Sequence, residues 1–365
     1  MTDTLTLPGP DSSRPLTARG EEDGAADHVL VCKHVHDVTR DTTTFAFGSA
    51  EPGLFRHNPG QYLTFTFEID GQEIDRCYTL SSPPSRPHLA AITVKRVPGG
   101  RVSNWLHDHL TPGDVVRARG PLGGFSMARH PASAYLFLSG GSGITPLMSM
   151  TRTLYDLASP ADAVFVHSAR TPDDIPFRQE LELMAATAPN IRVTHVCEND
   201  GATERWDGHR GRLTLDILRQ IAPDLLRREV FTCGPPGYMR AVHRMVAAAG
   251  LPEDRCHKES FEAAGLAPMD TAADAGEATT FAVQLSRSGR TIACDAGTSV
   301  LEAAARVGIT LPSSCGQGLC GSCVTTLEKG SVDMRHNGGL HPGDAARNKI
   351  LLRCSTPMED LVIDA

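Results

Sequence analysis

Three rhythms of apolar and polar positions divide the chain. Between residues 28 and 125, short stretches such as HVLVCKHV, QYLTFTFEI, AAITVKRV and DVVRARG alternate or are rich in β-branched residues, and Pro-Gly or Gly-Gly steps separate them. Regular short strands punctuated by turns predict a small antiparallel β-barrel. One helical stretch, VSNWLHDHL, interrupts it. From residue 134 the apolar runs become continuous: AYLFLSG, AVFVHSA, IRVTHVC and EVFTCG suit a parallel sheet buried on both faces. The helical segments PLMSMTRTLYDLA, FRQELELMAATA and GYMRAVHRMVAAAG alternate with them, which is the βαβ signature of a doubly wound α/β domain. The third rhythm begins near residue 280, where strands TFAVQLS and RTIACD, helix SVLEAAARVG and a last strand DLVIDA predict a compact α+β unit. The expected organisation is a tail at 1–27, a barrel at 28–128, an α/β domain at 129–261, a linker at 262–279 and a third domain at 280–365.

Charge changes little in this picture once it is located. The net charge of −8 comes from the tail and the linker, each contributing −4, and the folded remainder sums to zero. No basic face points to nucleic acid or to a membrane surface as a partner. No apolar run reaches the 18 residues that a membrane-spanning helix needs, and the first residues lack the basic and apolar segments of an export signal. A cytoplasmic location is therefore expected. Ten cysteines in such a chain point to metal or redox chemistry rather than to disulfides.

Four of those cysteines form a pattern. Cys315, Cys320 and Cys323 are spaced C-x4-C-x2-C in the loop SSCGQGLCGSC, and Cys354 follows after 30 further residues. This is the spacing of plant-type [2Fe–2S] ligands, and the loop glycines leave room for inorganic sulfide and for amide hydrogen bonds to it. A structural zinc site also takes four cysteines, but zinc ribbons usually pair two short knuckles. A thiol switch needs only two of the four. The loop reads as an electron carrier, and residues 280–365 resemble a plant-type ferredoxin domain, which implies a β-grasp fold.

A [2Fe–2S] cluster moves single electrons, whereas nicotinamide delivers two as hydride, so a flavin is expected between them. In RCYTLSS, Arg76 is suited to a phosphate, Tyr78 to a ring face and Thr79 to a ring nitrogen, and the three are expected on one side of a strand. The stretch ITVKR precedes GGRVSNWLH, a glycine turn opening onto a helix, where backbone amides and Ser103 make a pyrophosphate site. In LFLSGGSGITPLMSM, Gly140, Gly141 and Gly143 join an apolar strand to a helix whose early residues include Thr145, a second phosphate-binding turn.

In this order the motifs resemble the ferredoxin–NADP reductase superfamily. The resemblance implies that Arg76, Tyr78 and Thr79 bind FAD, with Val94 and Lys95 beside it and Val102 and Ser103 on its pyrophosphate. It places NADH or NADPH on Gly140, Gly141, Gly143 and Thr145, with Ser168 and Arg170 near the adenosine ribose. Cys233, Gly234 and Pro235 of FTCGPPGYM then lie by the nicotinamide, and Glu259 and Phe261 of KESF border the flavin. Thr79 and Cys233 are the residues expected at the reacting atoms, with Cys233 positioning rather than attacking, since hydride transfer needs no nucleophile.

Reductase components with a C-terminal ferredoxin share the domain order, and hybrid-cluster-protein and glycine betaine monooxygenase reductases are most similar. The implied function is electron transfer from NAD(P)H through FAD and [2Fe–2S] to a separate protein, a terminal oxygenase of Rieske type or another redox acceptor. A hybrid-cluster protein as acceptor, or a non-catalytic redox sensor, are the alternatives. No effector domain accompanies the cofactor motifs, and the fifteen histidines are scattered, so the terminal chemistry belongs to the partner.

Overall fold

The computed structural model describes residues 26–51, 53–259, 261, 279–309, 311, 323–334, 340 and 343–365. Most of the expected tail and linker therefore lies outside the described residues, and the first strand already begins at Ala26.

The first unit contains β1 (Ala26–Thr39), β2 (Thr42–Ser49), β3 (Tyr62–Ile69), β4 (Gln72–Thr79), β5 (Ala90–Lys95), α1 (Arg101–His109) and β6 (Val115–Leu122). They form one antiparallel sheet in the order β4-β3-β6-β1-β2-β5, and a bridge between Leu80 and Ile92 joins its two edges into a barrel. Phe45, Phe47, Leu63, Phe65, Leu80 and Ile92 are fully buried inside it, and α1 closes one end with Val102 and Leu106. Each such side chain contributes roughly 1.5–3 kcal/mol by leaving water.

The second unit runs β7 (Ala134–Gly140), α2 (Ile144–Asp156), β8 (Asp162–Ala169), α3 (Arg178–Thr187), β9 (Ile191–Cys197), β10 (His209–Arg210), α4 (Leu215–Ile221), β11 (Glu229–Cys233), α5 (Pro236–Ala248) and β12 (Cys256–Glu259). The six strands are parallel in the order β10-β9-β8-β7-β11-β12. Phe137, Phe165 and Phe231 pack on one face with α2 and α3, and Leu138, Val166 and Val230 pack on the other with α4 and α5. Burial on both faces explains the unbroken apolar runs. The strand order reverses between β7 and β11, and ligands of doubly wound sheets lie at that crevice, beyond the carboxyl ends of the strands.

The third unit contains β13 (Thr280–Leu285), β14 (Arg290–Asp295), α6 (Val300–Arg306), β15 (Val324–Lys329), β16 (Val332–Met334), β17 (Lys349–Leu351), β18 (Ser355–Pro357) and β19 (Leu361–Ile363). Its mixed sheet, β14-β13-β19-β15-β17, wraps α6 through Val300, Leu301 and Ala304. Among the described helices none is long and apolar enough to cross a membrane.

Candidate functional site

The register of the parallel sheet aligns five polar residues that stand far apart in sequence. His195 pairs with His167, His167 with Ser139, Ser139 with Cys233 and Cys233 with Glu259. Paired residues of neighbouring strands share a face, so the five form one row across the carboxyl end of the sheet. Ser139 Oγ and His167 Nδ1 are 2.8 Å apart. Burial lowers the His167 imidazole to about 3 and His195 to about 4, and both are neutral at pH 7.

Two glycine turns meet at this row. A Cβ on Gly143 would stand 2.3 Å from the carbonyl of Cys233, and Cβ atoms on Gly140 and Gly234 would press on the Tyr238 ring at 3.0 and 2.6 Å. Only glycine permits this approach of the β7–α2 and β11–α5 connections. Neither α2, which starts after Gly143, nor α5, which starts after Pro235, has a side-chain cap. Proline removes an amide from the first turn of each 13-residue helix, at Pro146 and Pro236, and the Ile144 N–H already bonds within the turn, so what the two helix starts offer a nucleotide pyrophosphate at the switch point is chiefly the positive ends of their dipoles. Thr145 Oγ1 donates to the Ser142 carbonyl at 3.3 Å and so braces the turn. Ser168 Oγ is buried against the Tyr238 phenol. Arg170 is exposed, with Nε 3.8 Å from Asp174, and Asp174 also accepts from Arg40 of the barrel at 3.3 Å.

The barrel contributes the other half of the site. Thr79, the last residue of β4, donates from Oγ1 to Glu259 Oε2 at 3.3 Å across the domain boundary. Burial pushes the Glu259 carboxyl up to about 8, and the hydrogen bond from Thr79 offsets only part of that. Glu259 is therefore a neutral acid at pH 7, able to hold or deliver a proton where the two domains meet. Cys233 is fully buried and its thiol is pushed well above its ordinary range, so it stays S–H and is no nucleophile. Phe261, two residues beyond Glu259, is 41% exposed.

The register corrects one expectation. Tyr78 pairs with Leu63 and Arg76 with Phe65, whereas Thr79 pairs with Tyr62, so Thr79 faces the opposite side of β4 from Arg76 and Tyr78. Adjacent strand residues alternate, and Thr79 directly follows Tyr78. The Tyr78 ring packs edge-on to Phe65 and Phe67, and Arg76 Nη1 donates to the Asp75 carbonyl at 2.7 Å. Val94 and Val102 lie in the barrel core, and Lys95 pairs with Asp41 at 3.0 Å. Ser103 Oγ accepts from Val97 N and donates to the Gly100 carbonyl, which closes the turn before α1. The helix start again has no side-chain cap, which leaves backbone amides for a phosphate.

In the third unit, Val324 pairs with Leu351, and the Leu352 amide donates to the Cys323 carbonyl at 3.0 Å. This brings Cys323, just before β15, and Cys354, just after β17, to one end of a two-strand ladder. Two of the four expected thiolates thus converge from distant sequence, as a cluster requires. Cys315 and Cys320 lie outside the described residues.

Comparison with known proteins agrees with this architecture. Family models for an oxidoreductase FAD-binding domain, an oxidoreductase NAD-binding domain and a 2Fe-2S iron-sulfur cluster binding domain match residues 30–127, 137–244 and 283–359. The chain belongs to the ferredoxin–NADP reductase family, in the branch of NAD(P)H-dependent flavin reductases that carry a [2Fe–2S] domain. Its relatives include the glycine betaine monooxygenase reductase subunit of Pseudomonas aeruginosa, 43% identical over 96% of this chain and 98% of that protein. The stachydrine N-demethylase reductase subunit Stc4 of Rhizobium meliloti is 40% identical over 89% of this chain and 93% of its own. Among solved structures, phthalate dioxygenase reductase superposes with a TM-score of 0.55 at 26% identity, covering 94% of this chain and 99% of that one. The protein is thus an oxidoreductase using FAD, a nicotinamide nucleotide and a [2Fe–2S] cluster, which together turn a two-electron hydride donor into a source of single electrons for a separate acceptor.

Sequence reasoning missed His57, His167, His195, Tyr238 and the polar face of α2. Only the last had a local signal, since Ser149, Arg152 and Asp156 stand at helical spacing in an otherwise apolar helix.

Proposed function

We propose that this chain is the reductase component of a Rieske-type oxygenase that removes a methyl group from an N-methylated betaine. The observation that carries this reading is end-to-end similarity, at 40–43% identity, to reductase subunits named for oxidation of glycine betaine and of stachydrine, both quaternary ammonium carboxylates. In this reading FAD is held by Arg76, Tyr78, Thr79, Val94, Lys95, Val102 and Ser103. The nicotinamide nucleotide is held by Gly140, Gly141, Gly143, Thr145, Ser168, Arg170, Cys233, Gly234 and Pro235, and Glu259 and Phe261 border the flavin. The four cysteines 315, 320, 323 and 354 hold the cluster, which hands electrons to the oxygenase.

Reconstitution tests it. The purified chain, NADH or NADPH, and a Rieske-type betaine oxygenase are expected to release formaldehyde from glycine betaine or stachydrine, one equivalent per nucleotide oxidised. Reduction of a hybrid-cluster protein in preference to the oxygenase, with no formaldehyde, overturns the reading. Anaerobic reduction followed by electron paramagnetic resonance is expected to show a rhombic one-electron iron–sulfur signal from the chain alone.

A further inference from the structure

The barrel segment that carries Thr79 is gripped from the other domain. α2 presents Ser149, Arg152 and Asp156 along one flank, spaced three and four residues apart. Ser149 Oγ donates to the Ser82 carbonyl at 2.7 Å, and that oxygen also accepts from His57 Nε2 at 3.1 Å. Arg152 Nη1 donates to the Ser81 carbonyl at 2.7 Å. Asp156 accepts from Ser85 Oγ at 2.5 Å and from Arg86 through two parallel bonds of 2.9 and 2.7 Å. Residues 81 to 86 are thus held at four positions by a single helix flank.

Arg152 is the centre of this grip, only 9% exposed. Its other donors reach Glu180 of α3 at 2.8 and 2.5 Å, and its guanidinium lies 4.6 Å from the centre of the Phe177 ring. Phe177 adopts φ 58, a left-handed conformation that a bulky side chain takes only where the surroundings enforce it. The strained residue gives Arg152 a ring to stack on and leads directly into the turn that carries Glu180. A guanidinium fixed by three elements has little freedom left.

The same helix begins at the Gly140–Gly143 turn. One rigid element therefore carries the nucleotide turn at its start and the flavin-side strand on its flank. We propose that Arg152 and Ser149 are positioning residues, which fix Thr79 against Glu259 and set the approach of flavin to nicotinamide by tying the 81–82 backbone to α2. The inference rests on the assignment of FAD to the barrel and of the nucleotide to the α2 turn.

The test uses the full holoprotein as wild type, Arg152→Ala, Arg152→Lys and Ser149→Ala. Hydrogen–deuterium exchange at residues 79–86 is read alongside anaerobic stopped-flow mixing with NADH or NADPH, which separates nucleotide affinity from the flavin reduction rate and shows the flavin–nicotinamide charge-transfer band. A misplacement of about 1 Å costs on the order of 100-fold in a geometry-limited step. Arg152→Ala is expected to raise exchange at residues 80–82 about tenfold, weaken the charge-transfer band and slow flavin reduction ~10–100-fold, with nucleotide affinity within about threefold of wild type. Arg152→Lys restores part of the rate, and Ser149→Ala shows the same pattern more weakly. Wild-type exchange and rate in both alanine variants overturn the proposal, as does loss of FAD with the remaining loaded fraction reduced at full speed. A wild-type protein whose flavin neither nucleotide reduces overturns the site assignment itself, which the exchange data distinguish because they require no nucleotide.

Discussion

The two ends of the parallel sheet are built on opposite rules. At the amino end, Arg228 is fully buried and engages all five N–H donors: two on the Asp224 carboxylate at 2.8 Å, one on the Asp162 carboxylate at 2.7 Å, and the two of Nη1 on the carbonyls of Tyr135 at 3.1 Å and Asp162 at 3.4 Å. Beside it Glu229 accepts from Arg255 and His257, each at 2.9 Å. At the carboxyl end, His167 Nε2 and both ring nitrogens of His195 are buried without hydrogen-bond partners, and the buried Ser168 hydroxyl and Tyr238 phenol turn to each other. Buried polar atoms are nearly always partnered, and a cluster of exceptions calls for a reason. One end closes its polar account within the protein, and the other leaves it open at the crevice where a doubly wound sheet receives its ligand. Stability and binding are thus separated along the strand axis.

The strongest way to break that contrast is at Arg228. Replacing it with methionine removes the cation and leaves two aspartates that water reaches, one of them still paired with Arg192, so the cost is about 1–3 kcal/mol, chiefly the main-chain carbonyls left without a donor. The expected result is a melting temperature lower by roughly 5 °C, at 2–4 °C per kcal/mol for a domain of this size. Calorimetry reads the loss, and stopped-flow reduction of the bound flavin is expected within about twofold of wild type. A fall in the reduction rate without a fall in stability contradicts the separation.

Glu259 sharpens it through pH. Its carboxyl sits at about 8 in the folded protein against an ordinary 4.5, so the native state keeps a proton that the unfolded chain has released. Stability from this group is complete below about pH 4.5 and declines as pH rises towards 8, by up to ~1.4 kcal/mol per pH unit. Glu259→Gln keeps the shape and removes the titration. Denaturant titrations between pH 5 and 8 are expected to show the wild type losing stability relative to the glutamine variant at each step. Parallel curves mean that Glu259 is ionised throughout, and the neutral-acid description of the domain boundary fails with them.

How much of this was legible in sequence follows from the range of the interactions. The strands of the α/β domain were readable because burial on both faces leaves continuous apolar runs, and AYLFLSG coincides with β7 residue for residue. β2, with TTTFAF, gave no alternation because both of its faces are buried in the barrel, and its threonines hide their hydroxyls in bonds to Asp37 and Thr93. α4 is short and is marked only by Thr214, whose side chain caps it. The glycine turns and the cysteine spacing were visible because the chemistry is local to a loop. The polar row was not, because it exists only after β7, β8, β9, β11 and β12 are set in register. Thr79 and Glu259 are 180 residues apart, and no pattern within either stretch announces that they meet.

The smallest expected effect is the most discriminating. Ser168 follows His167 on the opposite face of β8 and meets the Tyr238 phenol, at a position suited to a nucleotide hydroxyl. If a ligand completes this pair of hydroxyls, Ser168→Ala removes a desolvated group that contributes little in the empty protein. Stability without nucleotide is then unchanged or raised, within about 0.5 kcal/mol, the range of substitutions that break no interaction. Nucleotide affinity falls instead, by three- to tenfold, since one net hydrogen bond is worth about 1 kcal/mol. The same substitution at Ser139, whose hydroxyl already meets His167 at 2.8 Å, has the opposite signature. It strands a buried imidazole and lowers stability by about 1–3 kcal/mol whether or not nucleotide is present. Thermal melts of both variants with and without nucleotide read all four values at once. Identical behaviour of the two serines means that the Ser168 hydroxyl is incidental to binding, and the open end of the sheet must then be explained by packing alone.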